Sequence, residues 1–107
     1  MFQFIESRLF ERSAREYLDD DSYSAMQAWL IESPEAGDLI PGSGGCRKLR
    51  WHIAGKGKRG GVRVIYYVRL ASGRFWLLTI YSKGMIENIP GHVLRALKEE
   101  FVDEKAD

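Results

Sequence analysis

Residues 62–83, with the sequence VRVIYYVRLASGRFWLLTIYSK, contain the clearest structural pattern of this chain. Two runs rich in β-branched and aromatic residues, 62–70 and 75–83, flank a short turn at 71–73 that contains Gly73. Runs of this kind around a tight glycine-containing turn are typical of a β-hairpin. The central unit of the fold is therefore predicted to be two antiparallel strands.

The residues before this hairpin add a further strand and a loop. Residues 46–53 alternate, with Leu49, Trp51 and Ile53 on one face and Lys48, Arg50 and His52 on the other. Residues 55–61 form a basic, glycine-rich loop between that strand and the hairpin. A loop at 37–45 contains a short edge strand.

The two ends of the chain show helical patterns. A short strand at 2–5 is followed by a predicted helix at 7–18 with Ser7 as its N-cap. Residues 19–22 interrupt the pattern and supply a second cap, after which a helix continues to about Ser33 and stops at Pro34. A last helix is predicted with Asn88 as its cap and an apolar stripe of Ile86, Ile89, Val93, Leu97 and Phe101, with Leu94 beside it.

The resulting order is β-α-α-β-β-β-α, which predicts an α+β fold: a small antiparallel sheet flanked by helices. A length of 107 residues with 45% apolar residues fits one domain covering 1–107. No apolar run approaches the roughly 20 residues that span a bilayer, and the first residues lack the features of a signal peptide. A single cysteine excludes an internal disulfide and a cysteine-based zinc site. These features predict a cytoplasmic protein.

The near-neutral net charge of +1 conceals three blocks of opposite sign. Residues 39–86 carry ten basic side chains and no acidic one, whereas 1–38 carry nine acidic and three basic, and 87–107 six acidic and three basic. Ten like charges in one folded segment repel each other, which favours a polyanion site and above all a nucleic-acid site. The alternative is that basic strands pair with acidic helices.

Strand alternation gathers chemically useful side chains on one surface. The strand residues predicted to face the core in the hairpin are Val62, Val64, Tyr66, Val68, Trp76, Leu78 and Ile80. The opposite surface, which Phe75 and Leu77 would share, is then predicted to carry Lys48, Arg50, Arg63, Tyr81 and Lys83. Cations can stabilise a pentavalent phosphate, a tyrosine or lysine can move protons, and Tyr67 or Tyr81 can stack on a base. The set suits RNA cleavage, in which the 2′-OH is an internal nucleophile.

Other candidate motifs carry little weight. Residues 55–60 match G-x-G-x-x-G, but a dinucleotide site needs a strand before the motif and a helix after it, and here a strand follows. His52 and His92 show no metal-ligand spacing, and Cys46 is interpreted as a small, partly buried residue. The sequence therefore predicts neither a metal nor a cofactor.

Four segments together resemble the RelE/ParE toxin superfamily, and its HigB-like branch in particular. They are CRKLR at 46–50, GKGKRGG at 55–61, VRVIYY at 62–67 and LLTIYSK at 77–83. The resemblance implies a toxin of a bacterial type II toxin–antitoxin system. Such a toxin enters the ribosomal A site and cleaves mRNA there without a metal. It also implies a cognate antitoxin of the helix-turn-helix type, through which alone operator DNA would be contacted.

The resemblance also implies roles for individual residues. The family's catalytic positions match Lys48, Arg50, Arg63 and Lys83, with Tyr81 or a lysine as the general base. The loop cations implied to contact ribosomal RNA are Lys56, Lys58 and Arg59, and Arg47 and Tyr67 are further residues predicted to contact RNA or the ribosome. Two other functions stay open: a ParE-like inhibitor of DNA gyrase, and a noncatalytic module that binds RNA or an antitoxin.

Overall fold

The computed structural model describes residues 1–53, 61–84 and 88–105 and contains three helices and five strands in that part of the chain. Their order is β1 (Gln3–Glu6), α1 (Arg8–Tyr17), α2 (Asp20–Glu32), β2 (Asp38–Leu39), β3 (Arg47–Trp51), β4 (Val62–Arg69), β5 (Arg74–Ser82) and α3 (Gly91–Lys105). The predicted order is therefore confirmed, with the short edge strand as β2. None of the described helices combines the length and hydrophobicity required to cross a membrane.

The strands form one sheet in the order β1-β5-β4-β3-β2. Pairing is antiparallel from β2 through β5, but β1 pairs with β5 in parallel. The sheet is therefore largely antiparallel, as predicted, with one parallel pair at the β1 edge that makes it mixed. The reason is the two-helix connection after β1, which carries the chain across the sheet before β2 begins.

The first two helices begin at the caps that the sequence predicted. The Ser7 hydroxyl accepts from the Phe10 N–H at 2.9 Å and donates to the Leu78 carbonyl at 2.6 Å, so it fixes the start of α1 against β5. The Asp19 carboxylate accepts from the Ser22 N–H at 2.7 Å and starts α2. Both contacts satisfy backbone donors that a helix leaves free at its N-terminus.

Helices cover both sides of the sheet. One side, here called the α1/α2 face, packs on Phe10, Leu18, Met26 and Leu30 of the first two helices. The other side, the α3 face, packs on Leu94, Phe101 and Val102 of the last helix. Both sides of the central strands are therefore apolar, which is why β5 is buried at seven consecutive positions.

A β-bulge changes which residues of β5 lie on each face. Tyr66 pairs with Leu77 while the preceding Ile65 pairs with Thr79, so Leu78 is the extra residue. The predicted uniform alternation is wrong before the bulge, since Trp76 and Leu78 lie on the α3 face and Phe75 and Leu77 on the α1/α2 face. It is right after the bulge, where Ile80 faces α1 and α2 and Tyr81 faces α3.

The predicted apolar stripe is right for Ile89 and Phe101, which pack on the α3 face, and wrong for Val93 and Leu97. Leu94 and Val102 are buried, whereas Val93 and Leu97 are exposed. The helix starts at Gly91, where a Cβ atom would lie only 2.1 Å from the Pro41 carbonyl oxygen. The start of α3 therefore lies against the backbone of Pro41, a contact that a side chain at position 91 would block. Ile86, predicted to belong to the stripe, lies outside the described residues.

The tyrosines in the core predict how stability depends on pH. Tyr66 donates to the Pro34 carbonyl at 2.8 Å and accepts from the Gly37 N–H at 2.9 Å. Burial raises the pKa of Tyr66, and burial likewise raises the pKa of Tyr23, Tyr81 and the Cys46 thiol. The folded chain keeps these protons at a pH where the unfolded chain loses them. The free energy of unfolding should therefore fall as the pH rises past the ordinary values, 9.0 for cysteine and 10.0 for tyrosine.

Urea unfolding followed by circular dichroism between about pH 8 and 11 measures this loss. The variant Tyr66→Phe should be less stable by about 1–3 kcal/mol at the lower pH, because two buried backbone groups lose their partner. It should also lose less stability at high pH. Curves for the two proteins that stay parallel would contradict a raised pKa at Tyr66.

Candidate functional site

Three neighbouring strands bring Arg50, Arg63 and Tyr81 into one row across the sheet. Arg50 on β3 is the register partner of Arg63 on β4, and Arg63 is the partner of Tyr81 on β5. Directly paired residues project from the same side of a sheet, with Cβ atoms about 4.5–5.5 Å apart. Since Tyr81 packs on the α3 face, the whole row lies there.

The row runs from buried to exposed. Tyr81 is 5% exposed, Arg63 is half-buried and Arg50 is exposed. Burial raises the pKa of Tyr81, and the charge of Arg63 opposes that change without cancelling it. The tyrosine is therefore a neutral phenol at neutral pH, able to donate a hydrogen bond or a proton, with a cation beside it.

The two arginines of the row destabilise the sheet. Like charges directly opposite each other in a strand pair are unfavourable. The Arg63 guanidinium has a long contact of 3.5 Å to the Val62 carbonyl, and no carboxylate in the described part of the chain pairs with Arg50 or Arg63. A bound anion would relieve the repulsion between them.

A second pair of facing arginines has a different environment. Arg69 and Arg74 are register partners at the hairpin end of the same strands. There the Arg69 guanidinium lies 5.2 Å from the centre of the Trp76 ring. This cation–π contact stabilises the charge of Arg69 without an external anion. The Arg50–Arg63 pair is therefore the better candidate for an external anion.

Lys48 lies on the same face as the row, two residues before Arg50 on β3, and its register partner on β4 is Ile65. Its ammonium donates to the Asn88 side-chain oxygen at 3.2 Å, and Asp38 is its register partner on β2. The sequence did not indicate either neighbour. Asn88 was predicted as a helix cap, and it lies 40 positions from Lys48, beyond any local pattern.

Lys83 continues β5 beyond Tyr81. Its side chain is exposed, and its backbone N–H donates to the Gly61 carbonyl at 3.3 Å. Strand pairing therefore extends to this residue, and the spacing of two from Tyr81 puts it on the same side of the strand. Together with the row, it gives the predicted catalytic set one common surface.

Arg47 and Tyr67 lie apart from this surface. Arg47 lies on the same face of β3 as Leu49, and only 16% of its side chain is exposed. Its guanidinium donates to the Gly37 carbonyl at 2.8 Å and pairs with the Glu35 carboxylate at 3.3 Å. Tyr67 is on the α3 face but nearer the hairpin, between the Trp76 ring and the Lys98 ammonium, which is 4.9 Å from its ring centre. Both side chains hold neighbouring elements together.

The remaining predicted residues have simple positions. Lys56, Lys58 and Arg59 lie outside the described residues. His52 and His92 are exposed, on the end of β3 and on α3. Cys46 is fully buried and burial raises the pKa of its thiol, in agreement with a packing role.

Solved structures share this fold. A chain of the intact RelBE toxin–antitoxin complex of E. coli superposes with a TM-score of 0.56 and 16% sequence identity, over 78% of this chain and 98% of the other. The free E. coli toxin RelE, carrying two arginine-to-alanine substitutions, superposes with a TM-score of 0.51 and 15% identity over 96% of each chain. No family model matches the sequence. The chain thus has a RelE-type toxin fold, as the resemblance of its strand motifs implied.

Proposed function

We propose that this chain is the toxin of a type II toxin–antitoxin system and cleaves mRNA on the ribosome. The observation that carries the proposal is the Arg50–Arg63–Tyr81 row, which sets two guanidinium groups, neither paired with a carboxylate of the described residues, beside a protonated phenol. This combination fits a phosphodiester that gains negative charge during reaction. The RelE-type fold supports the same proposal.

The proposed reaction uses the RNA's own 2′-hydroxyl. The 2′ oxygen forms a bond to phosphorus, the bond between phosphorus and the 5′ oxygen breaks, and a 2′,3′-cyclic phosphate remains. Arg63 and Arg50 stabilise the charge on the pentavalent phosphate. Tyr81 donates its proton to the departing 5′ oxygen, because its raised pKa keeps it protonated.

The general base is then one of the two lysines beside the row. Tyr81 was one of the alternatives for this role, but a buried phenol with a raised pKa favours donation over abstraction. Lys48 and Lys83 lie on the same surface, and whichever of them meets the substrate as its neutral amine takes the 2′-hydroxyl proton and becomes an ammonium. No cofactor and no metal enters this scheme.

Ribosome dependence and an antitoxin partner complete the proposal. Arg50 and Lys83 are exposed and support a basic surface that would contact the RNA in this proposal. The E. coli neighbour was solved as a toxin–antitoxin complex. By analogy, this chain is held inactive by a cognate antitoxin of helix-turn-helix type, which alone contacts operator DNA.

Short induction of the chain in bacteria, followed by mapping of new mRNA 5′ ends, tests the function. We expect cuts within translated regions that disappear when initiation is blocked, together with an immediate stop in protein synthesis. The Arg63→Ala chain, induced to the same level, is the control. Absence of translation-dependent cuts combined with DNA-damage signalling would instead identify a gyrase inhibitor and would contradict the proposal.

A further inference from the structure

Asn88, the only asparagine of the chain, contacts one of the two lysines of the predicted catalytic set. Its side-chain oxygen accepts a hydrogen bond of 3.2 Å from the Lys48 ammonium. Within residues 1–53, 61–84 and 88–105, neither side chain has a second hydrogen bond or an ion pair. The contact therefore joins the segment before α3 to the middle of β3.

The start of α3 does not need the Asn88 side chain. The Pro90 carbonyl accepts from the Val93 N–H at 3.0 Å and from the Leu94 N–H at 3.2 Å, so the helical hydrogen bonds begin at Pro90. Asn88 lies two residues earlier and is exposed. Its side chain was predicted to cap the helix, but its oxygen instead accepts from Lys48. This leaves Asn88 free to serve the surface on which Lys48 lies.

The two candidate bases differ in how firmly their side chains are held. Lys48 is half-buried and bound to Asn88, whereas the Lys83 side chain is exposed and has no hydrogen-bond partner in the described part of the chain. A lysine loses rotamer freedom when it must adopt one reactive geometry, and that loss slows the reaction. Lys48 has already lost part of this freedom, so it is the better prepared of the two.

The partner of Lys48 is a neutral amide, which matters for proton transfer. A carboxylate at this position would favour the ammonium form, whereas an amide oxygen accepts an N–H from an ammonium or from a neutral amine. The charged neighbours on the strands are Asp38, the register partner on β2, with Arg50 and Arg63 of the row. Asp38 forms no ion pair with Lys48. Asn88 therefore orients Lys48 without adding a charge.

We propose that Asn88 is a positioning residue that holds Lys48 as the general base of RNA cleavage. The inference rests on the proposed function and chooses between the two lysines that the function leaves open. One N–H of the neutral Lys48 amine donates to the Asn88 oxygen, and the nitrogen lone pair takes the proton of the 2′-hydroxyl. The 2′ O–H bond breaks, an N–H bond forms, and Lys48 becomes an ammonium while the 2′ oxygen bonds to phosphorus.

Single-turnover cleavage on programmed ribosomes, measured between about pH 6 and 9, tests the role of Asn88. Asn88→Ala should be about tenfold slower at every pH, because Lys48 loses the hydrogen bond that orients it. Asn88→Asp keeps the acceptor but adds a charge that favours the ammonium, so its defect should be about tenfold at neutral pH and shrink as the pH rises. His92→Ala is the matched control, since His92 is exposed four residues further on, and it should cleave at the wild-type rate.

A second measurement needs no RNA. Acetic anhydride reacts with neutral amines only, and mass spectrometry of the digested chain gives the extent of acetylation at each lysine. In Asn88→Asp, acetylation of Lys48 should require a higher pH than in the wild-type chain. Lys83 should acetylate as before and serves as the internal reference. An unchanged profile at Lys48 would show that position 88 does not act on its amine.

Three results would overturn the inference alone: wild-type cleavage by Asn88→Ala, the same pH profile for Asn88→Ala and Asn88→Asp, or a greater loss in Lys83→Ala than in Lys48→Ala. Circular dichroism of each variant separates a lost base from a lost fold. If the wild-type chain itself cuts no mRNA on ribosomes, the proposed function fails and the base assignment fails with it. The acetylation profiles then still show whether Asn88 holds Lys48, so the two failures are distinguishable.

Discussion

Replacing Arg63 by alanine should lower mRNA cleavage about 10²–10³-fold, the usual effect of removing one group that stabilises transition-state charge. Arg63 occupies the centre of the row, between Arg50 and Tyr81. Its loss removes the cation nearest the expected phosphate. The measurement is the single-turnover rate on programmed ribosomes, with growth arrest after induction as the cellular readout.

The same substitution should not unfold the protein. Removing one of two facing arginines relieves repulsion, so the free energy of unfolding should stay the same or rise slightly. This opposite effect on activity and stability separates a functional residue from a structural one. A large fall in the melting temperature would instead show that Arg63 supports the fold.

Arg69→Ala is the matched control for Arg63→Ala. Arg69 lies on the same strand, but its guanidinium packs over Trp76 at the other end of the hairpin. The control should keep cleavage near the wild-type rate and lose about 0.5–1 kcal/mol of stability, the value of an exposed cation–π contact. If both variants lost cleavage equally, general basicity rather than the row would account for activity.

The row could be predicted because each of its strands carries its own alternation. Arg50 and Arg63 are each flanked by apolar residues, and Tyr81 follows the apolar Ile80, so alternation along each strand assigns the three side chains a face. That Arg63 lies directly opposite both Arg50 and Tyr81 depends on the pairing register of the strands, which is set by tertiary packing and a bulge. The sequence therefore indicated the common surface, and the structure supplied the direct opposition of two like charges.

The bulge itself could not be predicted. Helices cover both faces of β5, so residues 75–81 are all buried and none of them marks one side as solvent-facing. An apolar residue such as Leu78 fits either face equally well. Where both faces of a strand are buried, apolar and polar residues no longer alternate and the pattern cannot assign a residue to a face. The predicted faces of Trp76 and Phe75 were wrong for that reason.

The side chains that contact Arg47 and Lys48 could not be predicted from the sequence either. Arg47 and Lys48 are adjacent in sequence, but one pairs with Glu35 on the α1/α2 side and the other contacts Asn88 on the α3 side. Residue type does not distinguish a cation that holds a loop from one that faces a ligand. The two residues differ in the face of β3 on which they lie: Arg47 is on the same face as Leu49, and Lys48 is on the opposite one. Alternation along the strand already indicated this difference in the sequence.

Tyr81→Phe should slow cleavage of ordinary mRNA by about 10²-fold or more, the range for loss of a general acid. The ring that packs on the α3 face remains, so the fold should persist. Tyr67→Phe is the matched control, because Tyr67 is a half-buried tyrosine of the same face that packs between Trp76 and Lys98. It should cleave at the wild-type rate.

A modified substrate identifies the step that Tyr81 assists. When sulfur replaces the bridging 5′ oxygen at the cleavage position, the leaving group departs as a thiolate and needs no proton. Tyr81→Phe should then cleave this mRNA nearly as fast as the wild-type chain, whereas Arg63→Ala should remain slow because the phosphate charge still needs stabilising. Equal defects of Tyr81→Phe on both substrates would show that the phenol acts on the nucleophile or on binding. The raised pKa of Tyr81 favours rescue of Tyr81→Phe by the sulfur-containing mRNA, since it keeps the residue a proton donor throughout the pH range in which ribosomes work.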